Sequence, residues 1–149
     1  MAVVRNDPYS DFNFMVDLGA VNGSAIDGGF SEVSGLGASL AVISYRNGND
    51  PGNAPRQIPG LSHASEVHFR RGVIGSMTLA QWFDETATSG PSACRTITIT
   101  LLDEQRRPVM SWRLLNAFPV RYTPPSLSAA TSKVAIEELV VTCQSIKTL

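Results

Sequence analysis

The stretch Arg95-Thr-Ile-Thr-Ile-Thr-Leu101 alternates aliphatic side chains with threonines. Because successive side chains of a strand point to opposite faces, it predicts a β-strand with one apolar face and one hydroxyl-bearing face. The polar segment 103–108 predicts a turn, and residues 110–114 alternate in the same way after it. We therefore predict an antiparallel hairpin, which residues 116–122 extend.

Other parts of the chain also show the patterns of strands. Residues 12–18 alternate apolar and polar side chains, and Asn22-Gly23 favours a tight turn, so that the chain returns as a second strand. Residues 134–143 are apolar on both faces, which suits a strand covered on both sides. The strands predicted outside the 95–122 hairpin are residues 12–18, 30–33, 40–45, 67–70 and 134–143.

One helix of about ten residues is predicted after the 67–70 strand. Thr78 and Gln81 fit a capping box, Leu79 and Trp82 share one apolar stripe, and Gly90-Pro91 supplies a stop. So short a helix needs a sheet to pack on. The fold class is therefore mainly β, an antiparallel β-barrel or sandwich with one short flanking α-helix, and we expect residues 1–149 to form a single domain.

Residues 46–62 contain three prolines and three glycines and are predicted to be one long loop. Loops of that length are uncommon in compact domains and usually have a function. We therefore consider this segment the first candidate for contact with a partner.

The composition restricts the classes of partner. Of 149 residues, 43% are hydrophobic and 17% are charged, and the formal net charge is −1. The apolar content excludes a disordered chain, and the absence of a large positive field argues against a general binder of nucleic acid or anionic membranes. A sparingly charged surface indicates a protein partly covered by partners.

The N-terminal sequence, the lengths of the apolar stretches and the two cysteines indicate where the chain is made. The N-terminus shows no basic stretch followed by an apolar run, and no apolar stretch reaches the ~20 residues that span a bilayer. We expect synthesis in the bacterial cytoplasm without a signal peptide. Cys94 and Cys143 are expected to be reduced thiols, with Cys143 in the core.

Motifs of catalysis are not found. Ser31, Ser62 and Ser92 each have the first glycine of a nucleophile elbow and lack the second, and no phosphate-binding loop is present. His63 and His68 are spaced to point to opposite faces of an extended chain, so we expect no metal site.

The adjacent acidic pairs Asp103-Glu104 and Glu137-Glu138 are likewise split between faces, so neither forms an acid–base dyad; a solvated turn and interface charges are the simpler interpretations. Trp82 and Trp112 are expected to be core anchors. We predict that the protein is not an enzyme and uses no cofactor.

Taken in order, several segments resemble the inner tube proteins of contractile phage tails and related contractile injection systems. The resemblance is collinear from residue 6 to about residue 143. The segments are Asn6-Asp7-Pro8-Tyr9, Phe12-Asn13-Phe14, Gly29-Phe30-Ser31-Glu32-Val33-Ser34-Gly35-Leu36, Tyr45-Arg46-Asn47-Gly48, Pro59-Gly60-Leu61, Arg71-Gly72, Leu102-Asp103-Glu104, Trp112, Asn116-Ala117-Phe118-Pro119-Val120 and Val134-Ala135-Ile136-Glu137.

The resemblance implies a subunit that forms hexameric rings, stacked into a tube inside a contractile sheath, through which cargo is delivered. It implies as partners other copies of the chain, a sheath protein, baseplate or tube-initiator proteins, and cargo effectors or DNA in the lumen. We expect no direct insertion into a membrane.

Two sets of residues are predicted to act in assembly. Because hydroxyl groups bind water and do not bind cargo tightly, we expect the threonine face of the 95–101 strand to line the lumen. This face consists of Thr96, Thr98 and Thr100. Contacts between subunits or rings are expected at Asn6, Asp7, Pro8, Tyr9, Tyr45, Arg46, Asn47, Gly48, Asp50, Arg56, Pro59, Gly60 and Leu61.

Two alternatives stay open from the sequence. A tube-initiating or baseplate paralogue of the same family would cap the assembly instead of polymerising. A monomeric ligand-binding β-barrel belongs to another class and would stay at 16 kDa in solution.

Overall fold

A computed structural model gives the fold and describes residues 4–19 and 27–149. All strand pairings in this part of the chain are antiparallel. The elements are β1 (Phe14–Asp17), β2 (Asp27–Gly28), β3 (Glu32–Ser34), β4 (Ala38–Tyr45), β5 (Arg56–Ala64), β6 (Val67–Gly72), α1 (Thr78–Ser89), a 3-10 turn (Gly90–Ala93), β7 (Arg95–Leu102), β8 (Pro108–Thr123), β9 (Ile136–Thr142) and β10 (Ser145–Thr148).

The long strand β8 belongs to two sheets. Its first half lies between β7 and β10, and its second half pairs with β9. At the junction, Arg95 pairs with Ala117 while Ile97 pairs with Leu114, so β8 carries an extra residue there, and Asn116 has a φ of 50°. Such a bulge bends a strand. The result is a first sheet, β2-β1-β7-β8-β10, and a second sheet, β8-β9-β6-β3.

The apolar faces of both sheets and one face of α1 form a common core. Leu79 and Trp82 of α1 are each 1% exposed, and the indole N–H of Trp82 donates a hydrogen bond to the carbonyl of Ala93 at 3.0 Å. This confirms the predicted stripe and the mainly β fold with one flanking helix. The core residues are Val16, Leu18, Val67, Phe69, Leu79, Trp82, Ile97, Ile99, Leu114, Ala117, Leu139 and Val141.

The hairpin predicted from the 95–101 alternation is confirmed. β7 and β8 pair from Arg95 to Leu102, and β8 continues to Thr123. The turn is held by Asp103, whose carboxylate accepts backbone N–H bonds from Gln105 and Arg107 at 2.9 and 2.8 Å. Trp112, in β8, packs against the edge of the core.

The prediction of one long loop over 46–62 is wrong in its second half. Only residues 46–55 are loop, and β5 begins at Arg56 and pairs with β4 in a separate two-stranded sheet. Proline is tolerated where its missing N–H breaks no ladder bond, at edge strands and bulges. Pro59 lies opposite Val42, at the register shift of this hairpin.

Two further predictions need correction. Besides β7, β1 pairs with the two-residue strand β2 and not with the predicted strand 30–33, since β3 pairs with β6. The predicted turn Asn22-Gly23 lies outside the described residues. No side-chain cap is made at the start of α1, because Met77 and not Thr78 occupies the N-cap position. The Thr78 hydroxyl accepts a hydrogen bond from Arg71. The predicted stop at Gly90 is confirmed, with a φ of 61°.

The last long strand, β9, begins at Ile136, two residues later than expected, and Val134 is exposed. Its Leu139, Val140 and Val141 are buried, which agrees with cover on both sides. Cys94 and Cys143 are free thiols, and Cys143 packs against the core while staying partly exposed. Burial raises the pKa of the Cys143 thiol.

Candidate assembly interface

The β4–β5 hairpin exposes apolar side chains on both of its faces. Every residue of β4 is exposed, and the hairpin is not part of either larger sheet. A two-stranded hairpin alone is marginally stable in water, and a contiguous exposed apolar patch indicates an interaction site. The six large apolar side chains exposed on the hairpin are Leu40, Val42, Ile43, Tyr45, Ile58 and Leu61.

Hydrogen bonds hold the 46–55 loop in one conformation. The Arg46 guanidinium donates to the carbonyls of Asp50 and Gly52 at 3.1 and 2.9 Å. The backbone N–H of Asn47 donates to the Asp50 carboxylate at 3.0 Å, and Arg56 lies 3.8 Å from the same carboxylate. The tip of the hairpin is therefore an ordered structure, not a loose excursion.

The predicted contact residues of this region fall on the hairpin in order. Tyr45 ends β4 and is 52% exposed, Gly48 lies in the exposed loop, and Leu61 of β5 is 76% exposed. Gly60 is needed where it stands, because a Cβ there would come within 2.9 Å of the Ala41 carbonyl oxygen.

The N-terminal segment lies against the turn between β7 and β8. The Arg5 guanidinium donates to the carbonyls of Asp7 and Pro8 at 2.7 and 2.9 Å, pairs with Glu104 at 2.9 Å and lies 3.8 Å from the Tyr9 ring centroid. The hydrogen bond from Arg5 lowers the pKa of the Glu104 carboxyl. The predicted residues Asn6, Asp7 and Pro8 are exposed, and Tyr9 is half-buried.

Arg5 and Glu104 hold this segment and were not predicted to do so. The two residues are far apart in the sequence, and no pattern around either of them indicates the pairing. Of the two, only Glu104 was noted in the sequence, as one residue of the acidic pair Asp103-Glu104 that was predicted to lie in a solvated turn. Glu104 is exposed, which agrees with that prediction.

The three threonines of β7 lie on the face of the first sheet that points away from the core. Thr96 is exposed, and Thr98 and Thr100 are half-buried. The Thr100 hydroxyl hydrogen-bonds to that of Ser111 on β8 at 3.1 Å. This face therefore presents hydroxyls, while the opposite face presents the isoleucines of the core.

The predicted lumen residues and the two groups of predicted contact residues, on the hairpin and on the N-terminal segment, thus belong to different elements and do not converge on one pocket. The strongest candidate for assembly among them is the hairpin, whose apolar residues in β4 were noted in the sequence but not predicted to be exposed. The sequence did contain a signal for this surface, a predicted strand with apolar residues on both faces. Such a strand is found in the interior of a protein and also where a partner covers it.

The acidic pair Glu137-Glu138 is split between the two faces of β9, as predicted. Glu138 pairs with His68 at 3.0 Å and with Arg70 at 2.8 Å. The interpretation as an interface charge is wrong for Glu137, which is 3% exposed and pairs with the buried Arg71. No three histidine, cysteine or acidic residues in the described ranges 4–19 and 27–149 are placed to hold a metal ion.

A membrane-spanning helix is not found either. α1 has 12 residues, and within the part of the chain that the structure describes no helix is long and apolar enough to cross a bilayer.

Comparison with known proteins identifies the family. The model of the T4-like virus tail tube protein gp19 family matches residues 10–147. No curated protein sequence is matched. Solved structures are similar over nearly the whole chain, including one from the PVC sheath–tube complex of an extracellular contractile injection system in the extended state, at 28% identity and a TM-score of 0.84, covering 97% of this chain and 93% of that one.

A chain of the six-fold symmetrised baseplate of the anti-feeding prophage is similar at 26% identity and a TM-score of 0.83, with 97% of each chain covered. Hcp1 from Flavobacterium johnsoniae, at 12% identity and a TM-score of 0.57 over 91% of this chain and 93% of that one, shares the fold alone. With 138 consecutive residues matched by the family model and this fold, the chain belongs to the tail tube protein family and is a structural subunit of an inner tube.

Proposed function

We propose that this tube subunit assembles into hexameric rings that stack around a lumen, inside a contractile sheath. The similar PVC chain comes from a sheath–tube complex, and the similar anti-feeding prophage chain comes from a six-fold symmetrised baseplate structure. A head-to-tail interface that closes makes a ring, and a second one that does not close makes a filament. Contraction of the sheath would then drive the tube and its cargo through a target envelope.

The observation that carries this proposal is the β4–β5 hairpin. Its six large apolar side chains are exposed on both faces of a two-stranded sheet that packs on little of its own subunit. A neighbouring subunit or the next ring would cover them, and burying them would supply the driving force for association. The ordered 46–55 tip would then enter the interface with little loss of conformational entropy.

The N-terminal segment and the threonine face take the remaining roles. Asn6, Asp7, Pro8 and Tyr9 would pin an adjacent subunit, since Arg5 already fixes this segment in an exposed position. The face with Thr96, Thr98 and Thr100 would line the lumen.

In this role residues 1–149 act as one domain with no catalytic step. The partners would be other copies of the chain, sheath and baseplate proteins, and effectors or DNA as cargo. The chain would be made in the bacterial cytoplasm and leave it within a phage tail or injection particle.

Electron microscopy of the purified protein, with its light-scattering mass at low and high concentration, tests assembly directly. Rings and stacked tubes with a central channel are expected. A single ring that never stacks would favour the tube-initiating paralogue. A protein that stays a monomer of 16 kDa even when a baseplate template is added would favour the alternative of a monomeric ligand-binding β-barrel.

The hairpin is tested by Leu61→Asp, with Leu127→Asp as the matched control. Both leucines are exposed, by 76% and 83%, so neither charge disturbs the subunit's own core. Leu61→Asp is expected to abolish tubes while leaving the subunit folded, and Leu127→Asp, outside the hairpin, to assemble as the native chain does. Full-length tubes from a chain with residues 49–56 shortened to Gly-Ser would contradict a contact role for the 46–55 tip of the hairpin.

The lumen face is tested with Thr98→Cys in a chain whose two native cysteines are replaced by serine. A bulky thiol reagent is expected to add density inside the channel of the assembled tube. Density on the outer wall would contradict the assignment.

A further inference from the structure

A second exposed apolar surface lies where β6 ends. Gly72, the last residue of β6, pairs in register with Ile136, the first residue of β9. The N–H of the next residue, Val73, donates to the carbonyl of Ala135 at 2.9 Å. Exposed apolar side chains therefore meet where β6 ends and where β9 and α1 begin. We call them the end surface, which consists of Val73, Ile74, Met77, Val134 and Ile136.

The loop that carries most of the end surface is held by a buried side chain. The guanidinium of Arg71, which is 3% exposed, donates to the carbonyl of Ser76 at 3.4 Å and to the hydroxyl of Thr78 at 3.3 Å. Met77 lies between these two residues, and its carbonyl accepts the N–H of Gln81 at 2.9 Å. A partner would therefore meet an ordered surface and lose little conformational entropy on binding it.

The end surface is strongly exposed and free of charge. Ile74 is 79% exposed and Val134 is 75% exposed. The sequence has no charged residue in 72–83 and none in 124–132, the segments that carry or adjoin this surface. A cluster of exposed apolar side chains without charges is typical of the centre of a protein–protein interface.

The β4–β5 hairpin and the end surface lie at opposite ends of β6. The hairpin ends at Ala64, and β6 begins at Val67. The N–H of Ser65 donates to the carbonyl of Gly37 at 2.8 Å, which fixes the base of the hairpin. β6 has 6 residues, so its two ends are separated by about 17 Å. The subunit therefore carries one exposed apolar surface at each end of this strand.

A second copy of the chain is the partner that fits both surfaces. The hairpin matches the end surface in its lack of charge, because β4 has no charged residue and His63 is the one ionisable residue of 57–64. Different surfaces at opposite ends of a subunit make a head-to-tail contact that continues from copy to copy and does not close. Such a contact extends a stack.

We propose that the end surface receives the β4–β5 hairpin of a subunit in the next ring, so that an apolar contact joins successive rings. This inference rests on the proposed stacking of rings and names the surface that the hairpin would meet. Burial of apolar side chains from both subunits would drive the contact. The lack of charges on either side means that no ion has to be desolvated.

The substitution Ile74→Asp tests the proposal, and Met15→Asp is the matched control. Both side chains are exposed, and each substitution adds one negative charge. Met15 pairs in register with Thr100 and so lies on the threonine face, away from the end surface. Ile74→Asp is expected to form single rings that do not stack, whereas Met15→Asp is expected to form tubes as the native chain does.

Electron microscopy and light-scattering mass distinguish rings from tubes, and circular dichroism checks that each variant is folded. Full-length tubes from Ile74→Asp would overturn the proposal. A folded Ile74→Asp chain that forms no rings would also overturn it, because the end surface would then act within a ring and not between rings.

Cross-linking tests the contact itself, in a chain whose two native cysteines are replaced by serine. A mixture of Leu61→Cys and Ile74→Cys subunits, assembled and treated with a short bismaleimide, is expected to give cross-linked dimers that neither variant gives alone. A mixture of Leu61→Cys and Met15→Cys subunits is the control and is expected to give none. A chain that carries both Leu61→Cys and Ile74→Cys is expected to give a ladder of products that continues past the hexamer.

The outcomes separate this inference from the proposed function. Tubes of the Leu61→Cys and Ile74→Cys mixture without cross-links, or a ladder that stops at the hexamer, would overturn the contact between rings while the tube stands. A native chain that forms no ring at any concentration, with or without a baseplate template, would overturn the proposed function as well.

Discussion

The Arg71 guanidinium nitrogen Nε lies 2.6 Å from Oε1 of Glu137, and both side chains are only 4% exposed. The second carboxylate oxygen accepts a hydrogen bond from the Tyr122 hydroxyl at 2.6 Å. That hydrogen bond raises the pKa of Tyr122. Arg71 also reaches the Thr78 hydroxyl, so one ion pair joins β6, β8, β9 and the start of α1. A buried pair of this kind is costly to break because the remaining charge stays in the interior.

We expect Glu137→Gln to lower the free energy of unfolding by about 3 to 5 kcal/mol, because it leaves the Arg71 charge buried without a counter-charge. Urea unfolding followed by circular dichroism measures the change. Replacing both partners, with Arg71→Met and Glu137→Leu together, should restore most of the loss. A double variant as unstable as Glu137→Gln would contradict this explanation, because the loss of stability would then not come from the unpaired buried charge of Arg71.

We expect Gly35→Ala to destabilise the protein by more than about 1 kcal/mol. Gly35 has a φ of +86°, and an added Cβ would lie 2.2 Å from the carbonyl oxygen of Glu66, where no atom fits. Gly48→Ala is the matched control, since nothing lies within 4 Å of a Cβ there. Thermal unfolding of both variants checks this, and equal melting temperatures would contradict the steric argument.

Strand periodicity predicted most of the fold because most strands bury only one of their two faces, so that apolar and polar side chains alternate along them. The 95–101 alternation predicted β7 and which of its side chains face the core, and the helix stripe predicted the burial of Trp82. The pattern failed at β5, because Pro59 and Gly60 are loop residues by composition and strand residues only at a bulge of an exposed hairpin. Local sequence does not encode that hairpin's isolation from the two sheets.

The candidate assembly surfaces were predictable in part. The segment from Tyr45 to Leu61 could be singled out, because its ends match the family pattern and its composition is unusual. The pairing of Arg5 with Glu104 could not, since the two residues are far apart in the sequence and are joined only by the folded chain.

We expect Trp82→Phe to lower the free energy of unfolding by about 2 kcal/mol. The indole is 1% exposed and donates to the Ala93 carbonyl, so phenylalanine would leave a cavity and an unpaired buried acceptor. The Arg95 guanidinium also lies 4.7 Å from the ring of Trp82. Urea unfolding measures the change, with Trp112→Phe at the core edge as the comparison that should cost less. A larger cost at Trp112 would contradict the ranking by burial.

Glu138 should make stability depend on pH in the acid range. Hydrogen bonds from His68, and then from Arg70, lower the pKa of its carboxyl below the ordinary 4.5. Because the unfolded chain binds the proton more readily, the contribution is fully present above the ordinary pKa and is lost as the pH falls through the lowered value. We expect Glu138→Gln to cost about 1 kcal/mol at neutral pH, since the pair is partly exposed, and to cost progressively less in acid. Unfolding free energies of both chains between about pH 3 and pH 8 measure this, with Glu66→Gln as an exposed control. A difference between native and Glu138→Gln that is constant over this range would show that the carboxylate charge is not what stabilises β6 against β9.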